Sequence, residues 1–300
     1  HLTKKILITG GSGFLGNNLY RYFKEKYSVF ALVNKKKTKN ITKEFIVNCN
    51  ALNYKDLRNK ILQISPDIII NTIGLANVEL SEFNIKLAKS INIDTALNLT
   101  KISKENKIKF IHISTDHLYG NINKKKSEKS KVTLLNTYAK TKHEADIKVS
   151  QHLPSSLIIR TNFFGNSSTG KTFVEKIIKS LMQKKKIKLF DDVFFTPVYI
   201  NELANFINQL ILINAKGIYN IATDEVISKY NFGIMVANMF RLDRKYIVKS
   251  KLENTENLVT RPKFMTLSNI KLKKKLNLKK ISIHSNLKKF HIENPLKSND

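Results

Sequence analysis

The chain is predicted to be a doubly wound, parallel α/β protein, a Rossmann domain with a smaller C-terminal substrate-binding lobe, and three observations predict it. The apolar run Ile6-Leu7-Ile8 leads straight into Thr9-Gly10-Gly11-Ser12-Gly13-Phe14-Leu15-Gly16, with glycines at three-residue spacing. β-rich apolar runs then alternate with helical patterns through the first two-thirds of the 300 residues, as in a parallel sheet covered on both faces. After Gly165 the alternation loosens into a loop and shorter elements.

The first strand covers 4–9 and the first helix 14–25, whose Leu19, Tyr20 and Phe23 recur at roughly helical spacing. A glycine turn between them lets backbone N–H groups approach a pyrophosphate at the positive end of the helix. Gly10, Gly13, Phe14, Leu15 and Gly16 are therefore candidate cofactor contacts, although a tight strand-to-helix turn uses the same pattern. The second strand, 27–33, ends at Asn34 before Lys35-Lys36-Lys37. NAD-preferring folds often place an acid there for the ribose 2′-hydroxyl, and that acid would repel a 2′-phosphate. Asn34 and Lys35 thus favour NADPH, with NADH still open and a solvated basic turn as the competing reading.

Further strands are expected over 44–48 and 67–73, with a helix over 53–64. Gly74, just past the fourth strand, permits close approach of the cofactor. A long amphipathic helix over 84–105 runs through Leu87, Ile91, Leu97 and Ile102. The strand over 108–114 ends in Ser114-Thr115-Asp116-His117, which puts hydroxyls at the carboxyl edge, the ligand side of such sheets. In the helix over 134–152, Tyr138 and Lys142 lie four apart on one face. A lysine ammonium beside a phenol favours the phenolate and lowers its pKa, making Tyr138 a usable proton donor or acceptor. Taken alone, the pair also occurs on many solvated helices. A strand over 156–161 completes a dinucleotide-binding domain of residues 1–165.

Residues 166–300 form the substrate-binding lobe, with elements near 200–222 returning to the Rossmann domain. It opens with the loop 166–170, then a helix over 171–184, a strand over 187–190, a helix over 200–213, a strand over 217–221 and a helix over 228–240.

Composition narrows the function classes. Hydrophobic residues make up 42% of the chain, enough for a large core, yet no apolar run approaches the roughly 20 residues that span a bilayer. Neither a signal-peptide pattern nor a metal-ligand spacing is seen, and the lone Cys49 suits a reducing compartment, so a cytoplasmic location is expected. A net charge of +30 raises nucleic acid as a partner, but only six of the 53 basic residues are arginine. Arginine is preferred for bidentate phosphate and base-edge recognition, and the runs 35–37, 124–126, 184–186 and 273–275 are scattered. Solvated faces are the expectation, with a positive field that still attracts anionic cofactors and nucleotide-linked substrates.

Seven segments in a fixed order carry a resemblance over nearly the whole length. They are TGGSGFLG at the N-terminus, STDHLYG at 114–120, NTYAKTKHEAD at 136–146, RTNFFG at 160–165, FTPVYINELA at 195–204, GIYNIATDEVISKYNFG at 217–233 and RPKFMTLSNIKLKKKLNL at 261–278. The chain resembles the extended short-chain dehydrogenase/reductase family, in particular its dTDP-4-dehydrorhamnose reductase branch. The resemblance implies NADPH-dependent reduction of a nucleotide-linked 4-keto-6-deoxy sugar for surface polysaccharide synthesis. Thr115 would hydrogen-bond the substrate carbonyl, Tyr138 protonate its oxygen, and Lys142 tune Tyr138 and hold the nicotinamide ribose. Asp116, His117 and Asn162 would meet the substrate, with Phe195, Thr196 and Arg261 as weaker candidates; for Arg261, diphosphate binding competes with a plain salt bridge. Asn50-Ala51 stands where the family usually has an adenine-contacting acid, and His117 where it usually has another aromatic. Dehydratases of this scaffold resemble one another in an Asp-Glu pair after the threonine, whereas this chain has Asp116-His117, so elimination is disfavoured. A sugar-nucleotide epimerase and a non-catalytic NADP-binding regulatory subunit remain the alternatives, and a homodimer is possible.

Overall fold

The computed structural model describes residues 4–34, 38 and 40–296. The first half comprises β1 (Lys5–Thr9), α1 (Phe14–Phe23), β2 (Ser28–Val33), β3 (Ile46–Asn48), α2 (Tyr54–Ile64), β4 (Ile68–Asn71), α3 (Val78–Phe83), α4 (Ile85–Lys89), α5 (Thr95–Glu105), β5 (Lys109–Ile113), α6 (Thr137–His152) and β6 (Leu157–Thr161). The second half adds β7 (Phe163–Phe164), α7 (Phe173–Met182), β8 (Ile187–Phe190), β9 (Phe194–Phe195), β10 (Val198–Tyr199), α8 (Ile200–Leu212), β11 (Gly217–Ile221), β12 (Ile227–Ser228), α9 (Lys229–Met239), β13 (Ile247–Ser250), β14 (Phe264–Met265), α10 (Ile270–Leu276) and α11 (Ile283–Glu293).

Seven strands form one parallel sheet in the order β11-β6-β5-β4-β1-β2-β3. Successive side chains on each strand serve opposite faces. Ile6, Ile8, Ile68, Ile70, Ile111, Ile113, Leu157 and Ile159 pack with Leu19 and Phe23 of α1 and Leu203 and Leu210 of α8. The intervening Leu7, Ile69, Phe110 and Ile158 pack with Leu57 of α2, Leu99 and Ile102 of α5, and Ala145 and Val149 of α6. Each such side chain contributes roughly 1.5–3 kcal/mol by burial, and a one-residue slip would exchange the two sets, so the register is held from both sides. The doubly wound Rossmann architecture expected from the alternation is the one observed.

Two local differences have identifiable causes. The helix expected over 84–105 is interrupted by a π-helical turn at Ser90–Asp94, between α4 and α5. It starts at Asn84, whose side chain accepts the Leu87 N–H at 3.0 Å. The helix expected from 134 begins only at Thr137, because the Asn136 side chain accepts the Ala139 N–H at 2.9 Å and caps it. The strand over 217–221 is where it was expected: it is β11, which pairs with β6 from Gly217↔Leu157 to Ile221↔Thr161 and so extends the main sheet.

Outside the main sheet the chain forms two- and three-stranded patches, together with α10 and α11, which the sequence pattern did not single out. Phe290 of α11 meets the rings of Phe164 and Tyr199 with centroids 5.7 and 5.5 Å away. The run 124–126 is not wholly a solvated face. Lys126 is buried, and its Nζ donates to the carbonyls of Ile122 at 2.8 Å and Phe264 at 2.6 Å. Among the described residues, no helix is long and apolar enough to cross a membrane.

Candidate active site

The cofactor side is built by the turn between β1 and α1. Gly10 has φ +69°, a conformation that L side chains rarely adopt. A Cβ on Gly16 would lie 2.2 Å from the Gly10 carbonyl oxygen, so the first turn of α1 can press against β1 only with glycine there. Gly13 donates to that carbonyl at 2.9 Å and caps α1 with backbone alone. No acid occupies the first turn of α1, which leaves its positive end available to an anion. The turn opens onto a cleft of about 290 Å³ lined by Gly10, Gly13, Asn34, Asn50, Ala51 and Gly74. Phe14, Leu15 and Gly16 form the first turn of α1 beside it. The glycine cradle and this uncompensated helix end fit a dinucleotide diphosphate. Lys35 lies outside the described residues, and Asn34 is exposed at the end of β2.

Lys142 lies next to Gly74, at the margin of this cleft. A Cβ on Gly74 would lie 3.8 Å from Lys142 Nζ and 3.5 Å from Asn92 Oδ1. Asn92 sits in the π-helical turn, accepts the Leu75 N–H at 2.7 Å, and donates to Thr141 Oγ1 at 2.9 Å. It therefore ties the loop after β4 to the helix that carries Tyr138 and Lys142. Sequence reasoning missed Asn92, though a polar amide amid an apolar helical stripe, in a place that costs helix propensity, was the available signal. π-turns commonly mark functional sites.

Thr115, Asp116 and His117 follow β5 at the carboxyl edge of the sheet. The Thr115 hydroxyl accepts the His117 N–H at 3.2 Å and lies near enough to the Tyr138 phenol to act on its ionisation. The His117 ring stands edge-on to Tyr138, centroids 5.3 Å apart, and its Nε2 meets the Asn136 amide at 3.2 Å. Lys142 Nζ donates to the Ile113 carbonyl at 2.9 Å. Thr115, Asp116 and Lys142 are all buried.

Burial pushes the Tyr138 phenol up to about 12, opposed by the Thr115 hydroxyl and reinforced by Asp116. Burial brings Lys142 down to about 8, with Asp146 pulling it back up. The expected lowering of Tyr138 by Lys142 is therefore corrected: desolvation dominates, and the phenol is protonated at neutral pH. A protonated phenol near a threonine hydroxyl, one helical turn from a lysine, can donate a proton to a carbonyl oxygen held between the two hydroxyls.

Beneath these groups runs a buried polar chain across four adjacent strands. Thr9 Oγ1 donates to Asn71 Oδ1 at 2.7 Å, and the Asn71 amide meets His112 Nδ1 at 3.1 Å. Because Asn71 Oδ1 also accepts from Ile73 N at 3.1 Å, its NH₂ faces the ring, which places the His112 N–H on Nε2. That Nε2 lies 3.7 Å from Asp146 Oδ1, while Asp146 Oδ2 accepts from Ser114 Oγ at 2.8 Å and from Arg160 Nε at 3.2 Å. Arg160 Nη1 donates to the Tyr119 hydroxyl at 3.0 Å. The network fastens α6, and with it Tyr138 and Lys142, to the edge of the sheet.

The same burial makes stability depend on pH. Desolvation holds His112 well below its usual value, lowers His117 to about 4, and lowers His143. In the unfolded chain these imidazoles take up protons near pH 6.5, so below that pH the unfolded state binds more protons and the fold loses stability. Asp116, raised by burial, opposes this by taking up a proton in the fold. Stability measured by urea unfolding is expected to be about 2 kcal/mol lower at pH 5 than at pH 7, with a smaller difference in His117→Gln. Equal stability at the two pH values would contradict the neutral, buried imidazoles.

The remaining predicted residues are placed as follows. Asn162 Nδ2 donates to Asp116 Oδ2 at 2.8 Å, so the two form one unit beside Thr115. Arg261 pairs with Glu79, and its Nε donates to the Val259 carbonyl at 3.1 Å. Phe195 is buried in β9, and the Thr196 hydroxyl accepts the Leu267 N–H at 3.2 Å. Asn50 Oδ1 accepts the Leu52 N–H at 3.0 Å, and the Ala51 carbonyl accepts from Asn98 at 2.9 Å.

Comparison with known proteins accords with this geometry. A family model described as the RmlD substrate binding domain matches residues 4–294. The chain is 28% identical over 271 residues to the spore coat polysaccharide biosynthesis protein SpsK of Bacillus subtilis, covering 88% of this chain and 89% of that protein. It is 25% identical over 290 residues to the dTDP-4-dehydrorhamnose reductase of Aggregatibacter actinomycetemcomitans, covering 92% of each. Its fold is similar to that of the dTDP-4-dehydrorhamnose reductase of Bacillus anthracis in complex with NADP, with a TM-score of 0.86 at 23% identity, over 97% of this chain and 100% of the other.

Proposed function

The chain belongs to the RmlD substrate binding domain family, and from that premise we propose that it is an NADPH-dependent reductase of a nucleotide-linked 4-keto-6-deoxy sugar, supplying surface polysaccharide synthesis. The observation that carries this reading is the convergence of Thr115, Tyr138 and Lys142 at the sheet edge, next to a glycine cradle suited to a diphosphate. The names of similar proteins, a reductase and a polysaccharide biosynthesis protein among them, support the substrate class.

Thr115 holds the carbonyl oxygen by a hydrogen bond, and the Tyr138 phenol gives that oxygen its proton as the carbonyl becomes an alcohol. A nicotinamide dinucleotide in the cleft supplies the hydride. Gly10 and Gly13, with Phe14, Leu15 and Gly16 in the first turn of α1, would hold its diphosphate, and Asn50, Ala51 and Gly74 line the cleft. Lys142 adds positive charge where the oxygen gains electron density. Asn34, where an acid would disfavour a 2′-phosphate, supports NADPH.

Mixing the protein with NADPH and a dTDP-4-keto-6-deoxyhexose is expected to consume NADPH, seen as loss of the nicotinamide absorbance. Interconversion of sugars without net consumption would mean epimerisation. Tight NADPH binding with no turnover of any nucleotide-linked keto-sugar would favour a regulatory subunit.

A further inference from the structure

The last backbone pair between β1 and β4 is Thr9↔Asn71. Beyond it the two chains part, one to α1 on one face of the sheet and the other toward α5 on the opposite face. Such a switch point opens the crevice in which parallel α/β sheets take their ligands, and it also leaves the glycine turn without a ladder on its β4 side. A side chain supplies the missing rung. Thr72 Oγ1 donates to the Thr9 carbonyl at 2.6 Å, while Thr9 Oγ1 donates in the other direction, to Asn71 Oδ1 at 2.7 Å.

The Thr72 hydroxyl is lodged against the turn itself. A Cβ on Gly10 would lie 2.7 Å from Thr72 Oγ1 and one on Gly16 2.8 Å from it, so this oxygen takes the space that both glycines leave free. Holding the Thr9 carbonyl fixes the plane of the Thr9–Gly10 peptide, from which Gly10 departs at φ +69°. The Gly10 carbonyl in turn accepts the Gly13 N–H at 2.9 Å and sets where α1 begins. Thr72 also lines the cofactor cleft, half-buried beside Ile73 and Gly74. A hydroxyl has one proton, and this one is committed to the Thr9 carbonyl, so it is not a donor to a phosphate. Its effect on a ligand runs through the turn.

Given the dinucleotide reading of the cleft, on which this inference rests, we propose that Thr72 is a positioning residue for the cofactor: its hydroxyl locks the glycine turn in the shape that receives the diphosphate. A turn already held in its binding shape loses less freedom when the anion arrives, and that saving appears as affinity.

The test titrates two ligands into wild type, Thr72→Val and Thr72→Ser: NADPH, and 2′-AMP, which has the adenosine and the 2′-phosphate but no diphosphate. Valine keeps the branched shape without the hydroxyl, and serine keeps the hydroxyl without the branch. Thr72→Val is expected to weaken NADPH binding by about 3- to 10-fold, as for one lost hydrogen bond, while 2′-AMP binds as to wild type. Thr72→Ser stays within about twofold of wild type for both ligands. Thr72→Ala, which also lacks the hydroxyl, is expected to match valine and stands in for it should the valine variant fail to fold. Wild-type NADPH affinity in the variants without the hydroxyl, an equal loss for 2′-AMP, or a loss in Thr72→Ser as large as in Thr72→Val would overturn the inference while leaving the cofactor reading intact. A wild type that binds no NADPH would overturn both.

Discussion

Tyr138→Phe is expected to lower turnover of the keto-sugar by about 10²- to 10⁴-fold, the usual contribution of a positioned general acid. NADPH affinity should stay within about threefold of wild type, because a proton needed only in the transition state contributes to rate rather than ground-state binding. The buried phenol, raised to about 12, is the protonated form at working pH, so its removal leaves the nascent alkoxide without a donor. Nothing that lines the cofactor cleft is altered by the substitution. Binding titration beside steady-state kinetics checks both halves. Near-normal turnover in Tyr138→Phe would contradict the assignment of the acid.

Asp146→Ala is expected to destabilise the protein by about 3–5 kcal/mol, because it leaves Arg160 buried without its counter-charge. It also deprives Ser114 of its acceptor at 2.8 Å and His112 of its facing carboxylate. Asp146→Asn, which keeps the shape, should cost less and provides a folded variant should alanine abolish folding. The exposed pair Lys148–Glu144, on the same helix with 37% and 44% side-chain exposure, is the control. Glu144→Ala should cost less than about 1 kcal/mol. Urea unfolding of the three variants measures this, and equal losses at Asp146 and Glu144 would mean that the buried network does not anchor α6.

The legible part of this fold was the part written in periodic patterns. Apolar runs such as Ile68–Ile70, and Leu157–Ile159, serve strands buried on both faces, and glycine at positions 10 and 16 answers a backbone contact that no other residue allows. The part outside the main sheet was harder to read because strands β7, β9, β10, β12 and β14 are two residues long, too short for a period to show. The interruption at Ser90–Asp94 was invisible for a related reason: the apolar spacing through Leu87, Ile91 and Ile102 survives a π-turn.

At the site, Thr115, Tyr138 and Lys142 could be named from spacing and resemblance, but their electrostatics could not. Whether lysine lowers a neighbouring phenol depends on how deeply the phenol is buried, and sequence distance is silent on burial. Asn92 escaped for the same reason. It is an ordinary polar residue in sequence and becomes informative only when the fold sets it beside Gly74.

Stoichiometry tests the central claim most directly. The purified protein is given NADPH and a dTDP-4-keto-6-deoxyhexose, and both NADPH consumed and 4-hydroxy sugar formed are measured. One NADPH oxidised per sugar reduced, lost together in Tyr138→Phe, is the predicted result. Bound NADPH that is never consumed, or sugars that interconvert with no net oxidation, would contradict the reductase account.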